Sequence, residues 1–204
     1  MRYTGPRARL SRREGVNLFG SAKHANIMAR KPAIPGMHGA KRQGKLSEYA
    51  RQLREKQKMK RMYELSEKQF RNYFDKASRA KAVTGDALFE LLERRLDNVI
   101  YRSGLAVTRA QARQLVTHGI FNLNGRRINV PSAMVREGDV IEVRESKKGL
   151  VIFKENKEFL KDYNAPSWLS VDLSKLRTEI QSLPDARHFD AIIETRLIVE
   201  FYSR

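Results

Sequence analysis

The chain has 204 residues, 41% of them hydrophobic, no cysteine and a formal net charge of +18. Length and apolar content suffice for one or two domains with real cores, and the lack of cysteine excludes disulfides and thiolate-held zinc or iron–sulfur sites. So large a positive charge repels itself and implies a polyanionic partner. No apolar run approaches the ~20 residues of a membrane span, and the basic N-terminus, broken by Gly5 and Pro6, has no signal-peptide core. The expectation is a soluble protein of a reducing compartment.

The charge is unevenly spread. Residues 1–61 carry 17 Lys or Arg against 3 acids, residues 62–130 carry 12 against 7, and residues 131–204 carry 12 against 13. A basic leader on a more neutral body is the pattern of an arm that enters folded nucleic acid.

Taken in order, residues 1–46 hold Pro6, Pro32, Pro35 and six glycines with few apolar side chains, which predicts an irregular arm that orders on a partner. Ser47 opens a long basic helix in which Tyr49, Leu53 and Gln57 share one line, a thin apolar stripe with little core of its own. Ser66 and Gln69 form a capping box for a second helix, whose Phe70, Tyr73, Phe74 and Ala77 recur at helical spacing and read as core. Thr84-Gly85-Asp86 starts a third helix with Leu88, Leu91, Leu92, Arg95 and Leu96 in register, Arg94 and Arg95 sitting at its end.

Thr108 to Val130 is the best-ordered stretch of the pattern. Thr108 and Gln111 suggest a capping box, and the helix shows Arg109 and Arg113 one turn apart until Gly119 stops it. Asn124-Gly125 between two short apolar runs predicts a tight hairpin whose return strand begins with Arg126 and Arg127. Four guanidiniums on so small a unit can span neighbouring phosphates. Val140–Val143 follows Gly138-Asp139 as a strand, with further short strands predicted at 151–153 and 169–171.

Catalytic signatures are lacking. No phosphate-binding or dinucleotide Gly-rich motif occurs, nor a helical His-Glu-x-x-His, and His24, His38, His118 and His188 have no ligand spacing. Arg95-Leu96-Asp97 with Ser103-Gly104 is similar to the nucleophile segment of pseudouridine synthases, but the spacing is too long, so Asp97 is expected to cap or to pair with an arginine. An arginine pair plus hairpin offers no long recognition helix for DNA. Folded RNA, recognised by junction shape through phosphates and 2′-hydroxyls, suits distributed arginines better.

Three stretches carry a family resemblance: L-L-E-R-R-L-D-N-V-I-Y-R within Leu88–Val143, the N-terminal M-R-Y-T-G-P-R-A-R-L-S-R-R-E-G with K-P-A-I-P-G-M-H-G, and the tail L-I-V-E-F-Y-S-R. Together they resemble the bacterial-type S-four family of small-subunit ribosomal proteins and its small RNA-binding module. The resemblance implies an α+β fold: a mostly helical N-terminal domain with an inserted S-four-type module of helices and short antiparallel strands. It divides the chain into an arm (1–46), a helical domain (47–86, completed by 187–204) and the module with following strands (87–186). It implies no enzymatic activity and a cytoplasmic place in the ribosome. Its partners would be 16S rRNA, ribosomal protein S-five, other small-subunit proteins and mRNA near the entry channel, with no membrane. Roles in nucleating assembly of the 5′ domain, in translational accuracy and in repression of its own message are further implications; a free-standing RNA chaperone is the rival. Many relatives carry a Cys-x-x-Cys where this chain has Ala8 and Ser11, so no zinc or other cofactor is expected. The RNA-contacting set expected is Arg2, Arg7, Arg9, Arg12, Arg13, Lys41, Arg42 and Lys45 in the arm and Arg51, Arg54 and Lys58 on the basic helix. In the module it is Arg94, Arg95, Arg109, Gln111, Arg113, Asn124, Gly125, Arg126 and Arg127.

Overall fold

The structure is a computed structural model that describes residues 3–40, 44–159, 163–185, 188 and 192–203. It is α+β and divides into two compact units, one of residues 1–85 with 190–204 and one of residues 86–189.

The first unit is helical among its described residues. The arm expected to be irregular holds two helices, α1 (Arg7–Glu14) and α2 (Ala22–Arg30). The prolines and glycines that suggested disorder are their punctuation: Pro6 precedes α1, Gly15 ends it at φ 70°, and Pro32 follows α2. Next comes α3 (Glu48–Met62), where Ser47 Oγ accepts from Ala50 N at 3.3 Å. Its buried line is Gln52, Lys56, Met59 and Met62 rather than the Tyr49 line, and Tyr49 is exposed. In α4 (Glu67–Ser78) both halves of the Ser66/Gln69 capping box are present, and Phe70, Phe74 and Ala77 are buried.

The last helix, α9 (Thr195–Tyr202), packs along α3. Tyr202 stacks on Phe74 with 4.5 Å between ring centroids, and Gln52 donates to Glu200 at 3.1 Å. Lys56, buried on α3, lies 4.6 Å from the Phe201 ring centroid and donates to Glu67 of α4 at 2.7 Å. Tyr202 Oη donates to the same carboxyl at 3.0 Å. Burial by itself would raise the Glu67 carboxyl, but the hydrogen bonds from Lys56, Lys60 and Tyr202 win and hold it down at about 2.

The second unit contains most of α5 (Thr84–Glu93), then α6 (Leu96–Arg102), α7 (Arg109–Thr117) and α8 (Val151–Phe159). They accompany β1 (Phe121–Leu123), β2 (Arg126–Ile128), β3 (Val140–Val143), β4 (Leu169–Asp172) and β5 (Arg177–Ile180). The strands make one antiparallel sheet in the order β2-β1-β3-β5-β4. Its core joins Leu96 and Ile100 of α6, Leu115 and Val116 of α7, Phe121, Ile141, Val143 and Ile180 of the sheet, Phe153 of α8, and Trp168.

Three expectations fail here. The helix foreseen through Leu96 ends at Glu93; Arg95 is extended and caps α6, because residues 131–135 lie across the break, with Leu96 N donating to Ala133 O at 2.8 Å. Residues 151–153, read as a strand from their β-branched run, begin α8, in which Phe153 and Asn156 bury at helical spacing. Strand β5 went unforeseen, since its inward positions are Thr178 and Ile180 and only one of them is apolar.

Candidate nucleic-acid interface

The helix-and-hairpin platform forms as the spacing predicts, with one change of wiring. Thr108 Oγ1 accepts from Gln111 N at 3.1 Å, but Gln111 Oε1 reaches past the cap to Val107 N at 2.6 Å. Gln111 Nε2 meets Asn156 at 3.4 Å, so this side chain is spent on the fold rather than offered to a ligand. Gly119 stops α7 at φ 64°. Asn124 and Gly125 have φ of 50° and 75°, the paired left-handed residues of a type I′ turn. Asn124 also ties the hairpin to β3: its Oδ1 accepts from Val140 N at 2.8 Å and its Nδ2 donates to Asp139 at 2.8 Å.

The two hairpin arginines do not share a face. Asn122, Arg127 and Glu142 are cross-strand partners on one side of the sheet, whereas Leu123, Arg126 and Ile141 are on the other. Side chains alternate along a strand, so neighbours point apart. Both are exposed, and neither makes an ion pair among the described residues. The Arg127 guanidinium lies against Gly119, where a Cβ would come within 2.6 Å of its Nε.

Of the other arginines in the expected module set, Arg94, Arg95 and Arg113 are held by carboxylates and Arg109 by Asn98. Arg95 is 1% exposed and binds Asp97 through two donors, Nε at 3.0 Å and Nη2 at 2.6 Å. Arg113 Nη1 reaches the same carboxylate at 3.1 Å. Asp97 therefore pairs with arginines, as expected, and Arg95 is withdrawn from the contact set. Glu93 takes both Arg102 (2.9 Å) and Asn98 (2.9 Å), and Asn98 in turn accepts from Arg109 Nε at 2.8 Å. Arg109 also lies 4.5 Å over the Tyr101 ring. Arg94 is held by Glu90 at 2.8 Å and Val135 O at 3.1 Å. Arg109 and Arg113 remain half-buried, so each guanidinium shows only part of its donor fork outward.

In the helical unit the same sorting operates. Arg12 donates twice to Ala33 O (3.2 and 2.6 Å), holding the chain after α2 to α1. Arg54 and Arg61 converge on the buried Glu14, whose carboxyl burial pushes up despite both cations. Lys58 is taken by Glu55 at 2.5 Å and Arg7 by Glu64 at 2.9 Å. Arg9, Arg13, Lys45 and Arg51 are exposed with no ion pair among the described residues. Arg2, Lys41 and Arg42 lie outside the described residues.

One group of cations escaped the sequence reading. Lys68, Arg71, Lys76 and Arg79 run down the exposed side of α4 and its end, opposite Phe70, Phe74 and Ala77. Their spacing is helical, and the signal was present once the apolar face of α4 had been recognised.

Comparison with known proteins gives concordant matches. Residues 2–93 match the family described as Ribosomal protein S4/S9 N-terminal domain, and residues 94–141 match the S4 domain. Small ribosomal subunit protein uS4 of Thermodesulfovibrio yellowstonii is 48% identical over 207 residues, covering 100% of this chain and 99% of that protein. The uS4 proteins of Thermus thermophilus and Halothermothrix orenii are 47% and 49% identical, with the same coverage.

Proposed function

The chain belongs to the uS4 family of small ribosomal subunit proteins, a family of structural ribosomal proteins rather than enzymes, and we propose that it is an rRNA-binding constituent of the small ribosomal subunit. The observation that carries the proposal is the division of its cations. One set is consumed by buried carboxylates and fixes the fold, while a second, including Arg9, Arg13, Arg51, the α4 stripe, Arg126 and Arg127, is exposed without a counter-ion among the described residues. Such unpaired cations on rigid helices and a hairpin are suited to phosphates of a folded RNA.

The finer reading belongs to the same proposal. Its target is the 5′ domain of 16S rRNA, where it nucleates assembly; its neighbours are ribosomal protein S-five and mRNA near the entry channel. It affects decoding accuracy, can repress its own message, and works within the bacterial cytoplasmic ribosome. These follow from the family resemblance. The α9–α3 packing supports a helical domain closed by the C-terminal segment and followed by an RNA-binding module, with residues 1–46 falling in the same compact unit as that helical domain. No metal is needed in this reading, because Ser11, at a position where many relatives hold cysteine, is buried within α1.

Filter binding of the full chain to small-subunit rRNA across a salt series tests it. If about 6–10 phosphates are neutralised, affinity falls by about 10³–10⁵ between 50 and 200 mM salt. Replacing Arg126 and Arg127 together by Ala lowers the salt slope by roughly 2 while leaving thermal stability intact. A salt-independent affinity overturns the proposal.

A further inference from the structure

The turn that ends α3 is built on an unusual residue. Glu64 N donates to Arg61 O at 3.1 Å and Leu65 N to Lys60 O at 3.0 Å, the paired bonds of a Schellman stop. The left-handed position of that stop normally belongs to glycine, yet here Glu64 occupies it at φ 53°. Its side chain is only 9% exposed. Arg7 Nη2 stands 2.9 Å from Oε1, but neither carboxylate oxygen has a hydrogen bond of good geometry among the described residues, and Oε2 has no ion pair either. A buried carboxylate with unused lone pairs demands donors.

Glu64 lines a cavity of about 370 Å³ between α1, the chain after it and the end of α3. The ring of Phe19, with Arg7 at 5.5 Å from its centroid, and the ring of Tyr3 contribute flat apolar walls. Lys60, Arg61 and Glu67 complete the lining, Lys60 being paired with Glu67 at 2.8 Å and Arg61 with Glu14. A purely apolar guest would leave the carboxylate without donors, and a bare phosphate would face it directly. The cavity asks for a flat ring with two adjacent N–H donors on one edge.

Guanine meets that description. Its N1–H and N2–H₂ present two neighbouring donors to a carboxylate, whereas adenine, cytosine and uracil each interrupt their donor with an acceptor. We propose that this cavity receives the Watson–Crick edge of a guanine nucleotide on Glu64, with the base against Phe19 and Tyr3. The base comes either from an unpaired guanosine in RNA or from a free guanine nucleotide. The first source rests on the RNA-binding reading above; the second does not.

Two measurements on the full chain decide it. Calorimetric titration compares 5′-GMP with 5′-AMP and 5′-UMP, and the preference expected for GMP is at least roughly tenfold, because two hydrogen bonds to a charged acceptor are at stake. Glu64→Gln keeps the size of the side chain but turns one acceptor into a donor, so it abolishes that preference; its thermal midpoint controls for folding. Phe19→Leu weakens all three nucleotides alike by removing the stacking wall. In parallel, small-subunit rRNA bound to wild-type or Glu64→Gln protein is treated with a reagent that attacks guanine N1 and N2. One guanine protected by wild type and exposed by the variant supports an RNA base as occupant. GMP preference without such a guanine supports a free nucleotide. Absence of both signals overturns the proposal, and an rRNA complex that still forms with its normal salt dependence then leaves the RNA-binding reading standing.

Discussion

Asp97 shows how one short side chain decides the fate of two arginines. It neutralises Arg95, which is almost fully buried, and anchors Arg113 from the next helix. Breaking a buried pair leaves an uncompensated cation in low dielectric, so Asp97→Ala should destabilise the second unit by about 3–5 kcal/mol. Denaturant melts followed by the fluorescence of Trp168, the single tryptophan and 1% exposed, measure this directly. A loss under about 1 kcal/mol, the scale of a surface pair, would mean the site is wet. Arg113→Glu is a poor probe of RNA binding for the same reason: it sets a second carboxylate beside Asp97. Gly125 gives the opposite kind of test. A Cβ there meets nothing within 4 Å, so Gly125→Val isolates backbone strain at φ 75° and should cost roughly 1–2 kcal/mol. An unchanged melt would show that the hairpin tolerates another turn type.

Among the elements, α9 owes its place to a shared proton acceptor. Lys56 of α3, Lys60 of α3 and Tyr202 of α9 all donate to Glu67 of α4, so one carboxylate joins three helices. Its folded pKa of about 2 is below the ordinary 4.5, so the stability it contributes is present above pH 4.5 and is lost as pH falls toward 2. Glu14 has the other sign: burial raises its pKa, so its protonation near and above pH 4.5 favours the fold. A helicity melt at stepped pH should therefore show a midpoint falling between pH 4.5 and 2, with a shallower fall in Glu67→Gln. Equal slopes in the two proteins would remove Glu67 from the clamp. Nearly half of this side chain is exposed, so solvent screening keeps the effect modest.

For the molecule as a whole, local signals read well and long-range pairing did not. The Ser66 capping box, the Gly119 stop and the Asn124-Gly125 turn depend on residues within a few positions of one another, and each formed. The fate of each arginine depends on carboxylates far along the chain: Arg113 meets Asp97 16 residues away, and Arg54 and Arg61 meet Glu14 across 40 and 47 residues. No periodicity carries that information. The two arm helices were hidden because their boundaries are rich in glycine and proline, and α8 because three β-branched or aromatic residues open it. The S-four resemblance supplied what spacing could not, namely the α+β class and the partner.

The packing of α9 on α3 has a temporal side. A ribosome making this chain releases α3 first, then the whole second unit, and only then the helix whose Glu200 and Phe201 meet Gln52 and Lys56 of α3. At roughly 5–20 residues per second, the ~130 residues in between occupy about 7–25 s of translation. Throughout that interval the side of α3 that α9 will meet stays uncovered, with the basic residues of the arm already made. A chaperone, or ribonucleic acid itself, is then the only available cover, and newly made protein should be most prone to aggregate in that window.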